Sequence, residues 1–176
     1  FAVYMYRKGE KSHPNKIALF WTIGASIVSF VGAGLLGFAH TLPQTNLYTH
    51  GTLVTAMHGH YAFWGAYAMI VLAIISYALP NLTGRKRYNN TSGHMAFWLS
   101  NVVMLGMTVA FGVAGVAQVY LERKMKLDFM DVQNEIAIHF VVLLLCATLF
   151  TTGITLFIIE FIKYGKPTDE ALVKEE

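Results

Sequence analysis

Four stretches of the chain, 17–39, 53–79, 94–120 and 136–162, are nearly unbroken runs of apolar residues. A bilayer core of about 30 Å takes roughly 20 such residues in helical form, so each stretch is long enough to cross it once. Backbone polar groups in hydrocarbon must be satisfied within the segment, and a helix does that. The pattern predicts an all-α fold, a polytopic membrane bundle of four transmembrane helices forming one domain over residues 1–176. Small residues recur every four positions in the first stretch (Ala25, Ser29, Ala33, Gly37) and in the third (Gly106, Ala110, Ala114). Such stripes let membrane helices approach closely and are expected to be packing faces. Pro80-Asn81 is expected to end the second helix. Residues 1–6 read as the end of a further helix, so the chain is expected to be a C-terminal piece of a larger subunit.

Composition sharpens this picture. With 55% hydrophobic and 13% charged residues, the chain lies outside the usual range of soluble domains, and membrane lipid is its expected surrounding. The net charge of +3 comes from short basic clusters at the ends of the stretches, not from a continuous basic face, which excludes nucleic acid as a partner. One side has Arg7, Lys8, Lys11 and Lys16, then Arg85, Lys86 and Arg87, then Lys163, Lys166 and Lys174. The other has no Lys or Arg over 40–52, and only Arg123, Lys124 and Lys126 amid Glu122, Asp128 and Asp131. The positive-inside rule then puts both ends in the cytoplasm. The single Cys146 lies in an apolar span, so a disulfide, a Cys-rich iron–sulfur site and a C-x-x-C-H haem attachment are all excluded. No phosphate loop, H-E-x-x-H or nucleophile elbow is present, and hydrolytic chemistry has no support.

The candidate chemistry is histidine. His58 and His60 stand two positions apart inside the second stretch. Helical residues rotate by about 100° each, so these two point roughly 200° apart and cannot share one metal. A histidine in hydrocarbon is costly and by default functional. The plain alternative is a pair of polar residues hydrogen-bonded to neighbouring helices. The functional reading is one helix wedged between two haems, each iron on its own imidazole, with the irons on the order of 15 Å apart. Gly59 between them thins the helix surface for a flat macrocycle, and Tyr61, Phe63, Trp64 and Tyr67 could pack on haem faces or serve as ordinary core. With both ends inside, the pair lies in the outer half of the membrane, under the polar segment 41–51.

Other histidines weigh differently. His50, at the mouth of the second stretch, is either an exposed loop residue or a neighbour of haem propionates or of an ion they bind. His40 and His94 read as solvated helix-end residues and His13 as a loop residue. His139 could ligate a haem but is better read as hydrogen-bonded within the bundle. Glu160, near the inner end of the fourth stretch, is expected to snorkel to the interface.

The run Leu47-Tyr48-Thr49-His50-Gly51-Thr52-Leu53-Val54-Thr55-Ala56-Met57-His58-Gly59-His60-Tyr61-Ala62-Phe63 resembles the tenth helix of a haem–copper oxidase superfamily catalytic subunit. In that family a histidine near the propionates leads an H-x-H pair by eight residues, and His50, His58 and His60 repeat the spacing. The whole chain is similar to the last four of twelve helices. The runs Phe38-Ala39-His40-Thr41-Leu42-Pro43-Gln44-Thr45-Asn46 and Ile75-Ser76-Tyr77-Ala78-Leu79-Pro80 resemble the bacterial nitric oxide reductase branch. Gly51, where many oxygen-reducing members have Asp, and Gly59, where many have an aromatic residue, favour the same branch.

The resemblance implies a denitrifying respiratory enzyme of the bacterial inner membrane that reduces NO to N2O. His60 would be an axial ligand of low-spin haem b and His58 the axial ligand of high-spin haem b3, with His50 near the propionates, where calcium could also bind. A non-haem iron would face haem b3. Its ligands, and the second axial ligand of haem b, would come from N-terminal helices of the same subunit outside this segment. A c-type cytochrome subunit on the outer face would be the electron-transfer partner. Two rival readings stay open: an oxygen-reducing relative with copper in place of the iron, and a non-catalytic diheme b-type anchor using His94 or His139 as distal ligands.

Overall fold

A computed structural model describes residues 15–84 and 91–164, the last two by backbone alone. Residues 1–6, His13 and the basic residues Arg7, Lys8, Lys11, Arg85, Lys86, Arg87, Lys166 and Lys174 lie outside them, as does the Lys163 side chain. Within the described residues six helices follow in order. Helix α1 spans Lys16–Thr41, α2 Pro43–Thr49, α3 Leu53–Leu82, α4 Thr91–Lys124, α5 Phe129–Glu135 and α6 Ala137–Tyr164. The described residues contain no strand. Helices α1, α3, α4 and α6 are each long and apolar enough to cross a membrane. The short α2 and α5 sit in the two connections at one end of the bundle.

The long helices pack in chain order, α1 on α3, α3 on α4 and α4 on α6, with a smaller contact between α1 and α4. Aromatic rings join all four. Trp21 of α1 is fully buried and meets Trp64, Phe97 and Phe157 edge-on, and Trp64 meets Phe150 in the same way. Edge-to-face pairs of this kind add to the burial of the rings themselves.

Glycines set the closest approaches. A Cβ on Gly32 would lie 2.8 Å from the backbone of Tyr61 and Ala62, and one on Gly65 would lie 2.6 Å from the Ser29 nitrogen. Gly115 of α4 is pressed equally hard against the backbone of Leu53 and Val54 at the start of α3. In the third stretch Ala110 and Ala114 are buried as expected, whereas Gly106, the first of that stripe, is exposed. In the first, Ala25 is buried, Ser29 half-buried and Ala33 exposed, and Gly32 makes the close contact where Ala33 was expected to. A four-residue step overshoots an α-helical turn by about 40°, and the π segment at Phe30–Leu36 changes the rotation again, so Ala33 falls off the contact face while Gly37 returns to it beside His58.

Among the described residues, π-helical segments interrupt α1 at Phe30–Leu36 and α3 at Trp64–Ala68, and a third, Tyr120–Lys124, ends α4. The first two touch each other. Such insertions recur at functional sites because they re-aim carbonyls and side chains.

Pro80 does not end α3; it lies in the last turn, which continues to Leu82. Proline has no N–H to give the carbonyl four residues earlier, that of Ser76. Asn15 replaces it, donating from Nδ2 to the Ser76 oxygen at 2.7 Å while its Oδ1 accepts from the Ala18 N–H at 3.0 Å and caps α1. One buried side chain thus closes two helix ends. Asn15→Ala should therefore lower stability by about 1–3 kcal/mol, the cost of an uncapped helix and an orphaned carbonyl. Thermal unfolding of the purified protein in detergent reads this directly, and an unshifted midpoint rejects it. Glu160 also departs from expectation: it is buried, 8% exposed, beside a cavity of about 40 Å³ shared with Asn15, Ser76 and Gly93, and does not reach out to the interface.

Candidate functional site

The loop before α3 is built to start a helix at a fixed place. Gly51 has φ +74°, a left-handed conformation that a residue with a Cβ rarely adopts, so the backbone itself favours glycine there over aspartate. The Thr52 hydroxyl then accepts from the Val54 N–H at 3.3 Å as N-cap. Gln118 of α4, 5% exposed, takes the Leu53 N–H on its Oε1 at 2.9 Å and donates from Nε2 to Glu122 at 2.8 Å. The first turn of α3 is therefore fixed from two sides, and His58 and His60 follow within two turns.

The two imidazoles face opposite sides of α3. His58 is half-buried against α1, where its Nδ1–H donates to the Gly32 carbonyl at 2.9 Å. A Cβ on Gly37 would come 3.3 Å from His58 Cε1, so the glycine makes room for the ring edge. The His40 ring stacks on the His58 ring with centroids 5.0 Å apart and planes 25° apart. His60 turns the other way. Its Nδ1–H donates to the Ala56 carbonyl one turn back at 2.8 Å, and its ring stacks on Phe111 of α4 at 4.8 Å.

A carbonyl only accepts, so Nδ1 carries a proton in both rings, and in the neutral imidazole the lone pair is then on Nε2. That is the nitrogen that can coordinate iron, with the other nitrogen's hydrogen bond fixing tautomer and orientation. His60 lies on a groove of about 890 Å³, lined by Gly59, Phe63, Trp64, Tyr67 and Val71 from α3 and closed by Met104, Phe150 and Ile154. A Cβ at Gly59 would meet nothing within 4 Å, leaving that wall open to a flat group. Apolar walls, one imidazole and this volume fit a haem held without a covalent link. Of the four aromatic residues weighed from the sequence, Phe63, Trp64 and Tyr67 line the groove, whereas Tyr61 is partly buried against the hydrophobic core. Among the described residues no group of three or more His, Cys, Asp or Glu could hold a metal ion.

His50 is exposed and follows α2; its carbonyl takes a long hydrogen bond, 3.5 Å, from Arg123. The π turn at Tyr120–Lys124 carries that arginine, which gave no sign in the sequence beyond its charge. His94 lies at the other end of the bundle against Phe20, 17 residues and so about 25 Å along α4 from Phe111. It cannot reach the iron of a haem at either imidazole. His139 donates from Nδ1 to the Ile136 carbonyl at 3.2 Å. His40 is a correction. It is half-buried, and its Nε2 is buried without a hydrogen-bond partner among the described residues, so it is not a solvated helix end. The sequence offered no signal for its place beside His58, 18 residues away across a helical corner.

The sequence matches the family described as Cytochrome C and Quinol oxidase polypeptide I over residues 1–158. It is 38% identical to a nitric oxide reductase subunit of Stutzerimonas stutzeri, in an alignment covering 94% of this chain and 37% of that protein. The chain thus spans little more than a third of the length of the curated relative it matches.

Proposed function

This chain belongs to the cytochrome c and quinol oxidase polypeptide I family, and from that premise we propose that it is the C-terminal, four-helix domain of the catalytic subunit of a nitric oxide reductase. The carrying observation is the pair His58 and His60 on opposite sides of α3, each with Nδ1 bonded to a backbone carbonyl, which leaves Nε2 as the nitrogen for a metal. In this reading His58 holds high-spin haem b3, His60 holds low-spin haem b, and a non-haem iron facing haem b3 takes its ligands from elsewhere in the subunit. Together the bound groups supply the electrons and gas coordination for 2 NO + 2 H⁺ + 2 e⁻ → N2O + H2O.

This chain's own contribution is positioning. Gly32 and Ala56 carbonyls hold the two imidazoles, and Phe63, Trp64 and Phe150 give the His60 side an apolar wall. The domain sits in a bacterial inner membrane with both ends cytoplasmic, which puts the imidazoles in the outer half and a c-type cytochrome subunit on the outer face. Metal analysis and gas uptake of the intact enzyme test the reading. Iron without copper, with NO consumption, is expected; copper with O2 consumption, or two six-coordinate haems inert to CO, would overturn it.

His50 serves in the outer shell of this site, near the propionates or a calcium ion bound to them. His50→Ala should shift haem potentials without removing either haem, because partners beyond the ligands tune a metal centre and do not hold it. Redox titration of both haems reads this; unchanged potentials leave His50 a plain surface residue, and loss of a haem makes it a ligand.

A further inference from the structure

We propose that His40 is the positioning residue that fixes the plane of the His58 imidazole; this rests on the reading of His58 as the axial ligand of the reactive haem. The hydrogen bond from His58 Nδ1 to the Gly32 carbonyl pins one atom of the ring. A single pinned atom leaves the ring free to rock about that bond. Gly37 bounds one edge, where a Cβ would stand 3.3 Å from Cε1. The flat face is covered by His40, in near-parallel stacking at 5.0 Å. Offset stacking at such a distance is attractive and resists tilting of either ring.

His40 is itself locked. Its Nδ1 donates to the Leu36 carbonyl at 2.9 Å, one turn back on α1, so the ring cannot swing out of the stack. Its Nε2 is buried with no hydrogen-bond partner among the described residues. A helix-end histidine free to choose would turn that nitrogen to water, since burying an unmatched acceptor is unfavourable. The compensating contact is the His58 ring. Gly32, Gly37 and His40 thus lie within nine residues of α1 and hold one imidazole by atom, edge and face. The plane of an axial imidazole sets its overlap with the iron, so its restraint belongs to the tuning of the centre.

The test uses the intact enzyme, and reads the iron–histidine stretching band of the reduced high-spin haem by resonance Raman together with that haem's midpoint potential. His40→Ala should shift or broaden the band and move the potential. His40→Phe, which keeps a flat ring without nitrogens, should restore both. The low-spin haem, whose ligand faces α4, should be unchanged in each variant and reports on assembly; if His40→Ala fails to assemble, His40→Leu replaces it. An unshifted band in the non-aromatic variant overturns the proposal, and so does a His40→Phe variant as disturbed as His40→Ala. His58→Ala separates the two levels. If the band survives that change, the ligand assignment itself has failed; if it vanishes there yet ignores His40, only the role of His40 falls.

Discussion

His58→Ala should abolish NO reduction and CO binding while leaving the low-spin haem spectrum largely intact. The imidazole faces α1, away from the groove at His60, and with Nδ1 engaged by the Gly32 carbonyl its Nε2 is the nitrogen that would take an iron. A reactive haem needs one open axial position for the gas, and so has one protein ligand to lose. Removing partners beyond the ligands typically costs 10–100-fold in affinity or activity, so loss of the ligand itself should exceed about 100-fold. On the proposed assignment the low-spin haem would be spared, because His58 forms no part of the groove at His60. Stopped-flow CO binding and steady-state NO consumption, with reduced-minus-oxidised spectra, measure all three quantities. Retained activity with lost low-spin absorbance exchanges the two assignments.

His60→Ala should give the complementary pattern: the low-spin signal disappears, while CO binding to the other haem persists. NO turnover should fall with it, because electrons would reach the reactive centre through this haem. The mutation leaves the groove walls in place and takes away the coordinating nitrogen and the ring that stacks on Phe111. Apolar enclosure without the imidazole could still retain some macrocycle, so the decisive readout is the bis-histidine electron paramagnetic resonance signal, not total haem. Persistence of that signal at full strength would exclude His60 as a ligand.

The four crossings were legible because hydrocarbon leaves no choice: about 20 apolar residues, helical, each ended by polar ones. The opposition of His58 and His60 was equally legible, following from helix rotation alone. What the sequence hid was the partners. Gly32, Gly37 and His40 meet His58 across an interface between α1 and α3 whose register depends on glycine contacts and on a π segment at Phe30–Leu36. No composition marks such a segment, and the four-residue stripe misplaced the packing face for want of it. Phe111 looked like any apolar residue of a membrane helix. Asn15 stood beside a charged run with nothing to tie it to Pro80, 65 positions on, although the missing N–H of that proline could have prompted a search for a donor. Glu160 carried the opposite bias, for carboxylates near a membrane surface ordinarily escape to it.

The two imidazoles are held by different owners. His60 is anchored to Ala56, a carbonyl of its own helix, and its ring rests on Phe111 of α4, so its aim does not depend on α1. His58 is anchored to Gly32, which belongs to α1. A slip, tilt or slackening between those two helices must therefore reach one imidazole through its anchor and not the other. A larger residue at Gly65, where α1 and α3 nearly touch, would reach the His58 imidazole through its anchor on α1, and the groove beside His60 only through the neighbouring Trp64. One imidazole keeps its anchor when α1 moves, and the other is carried with it.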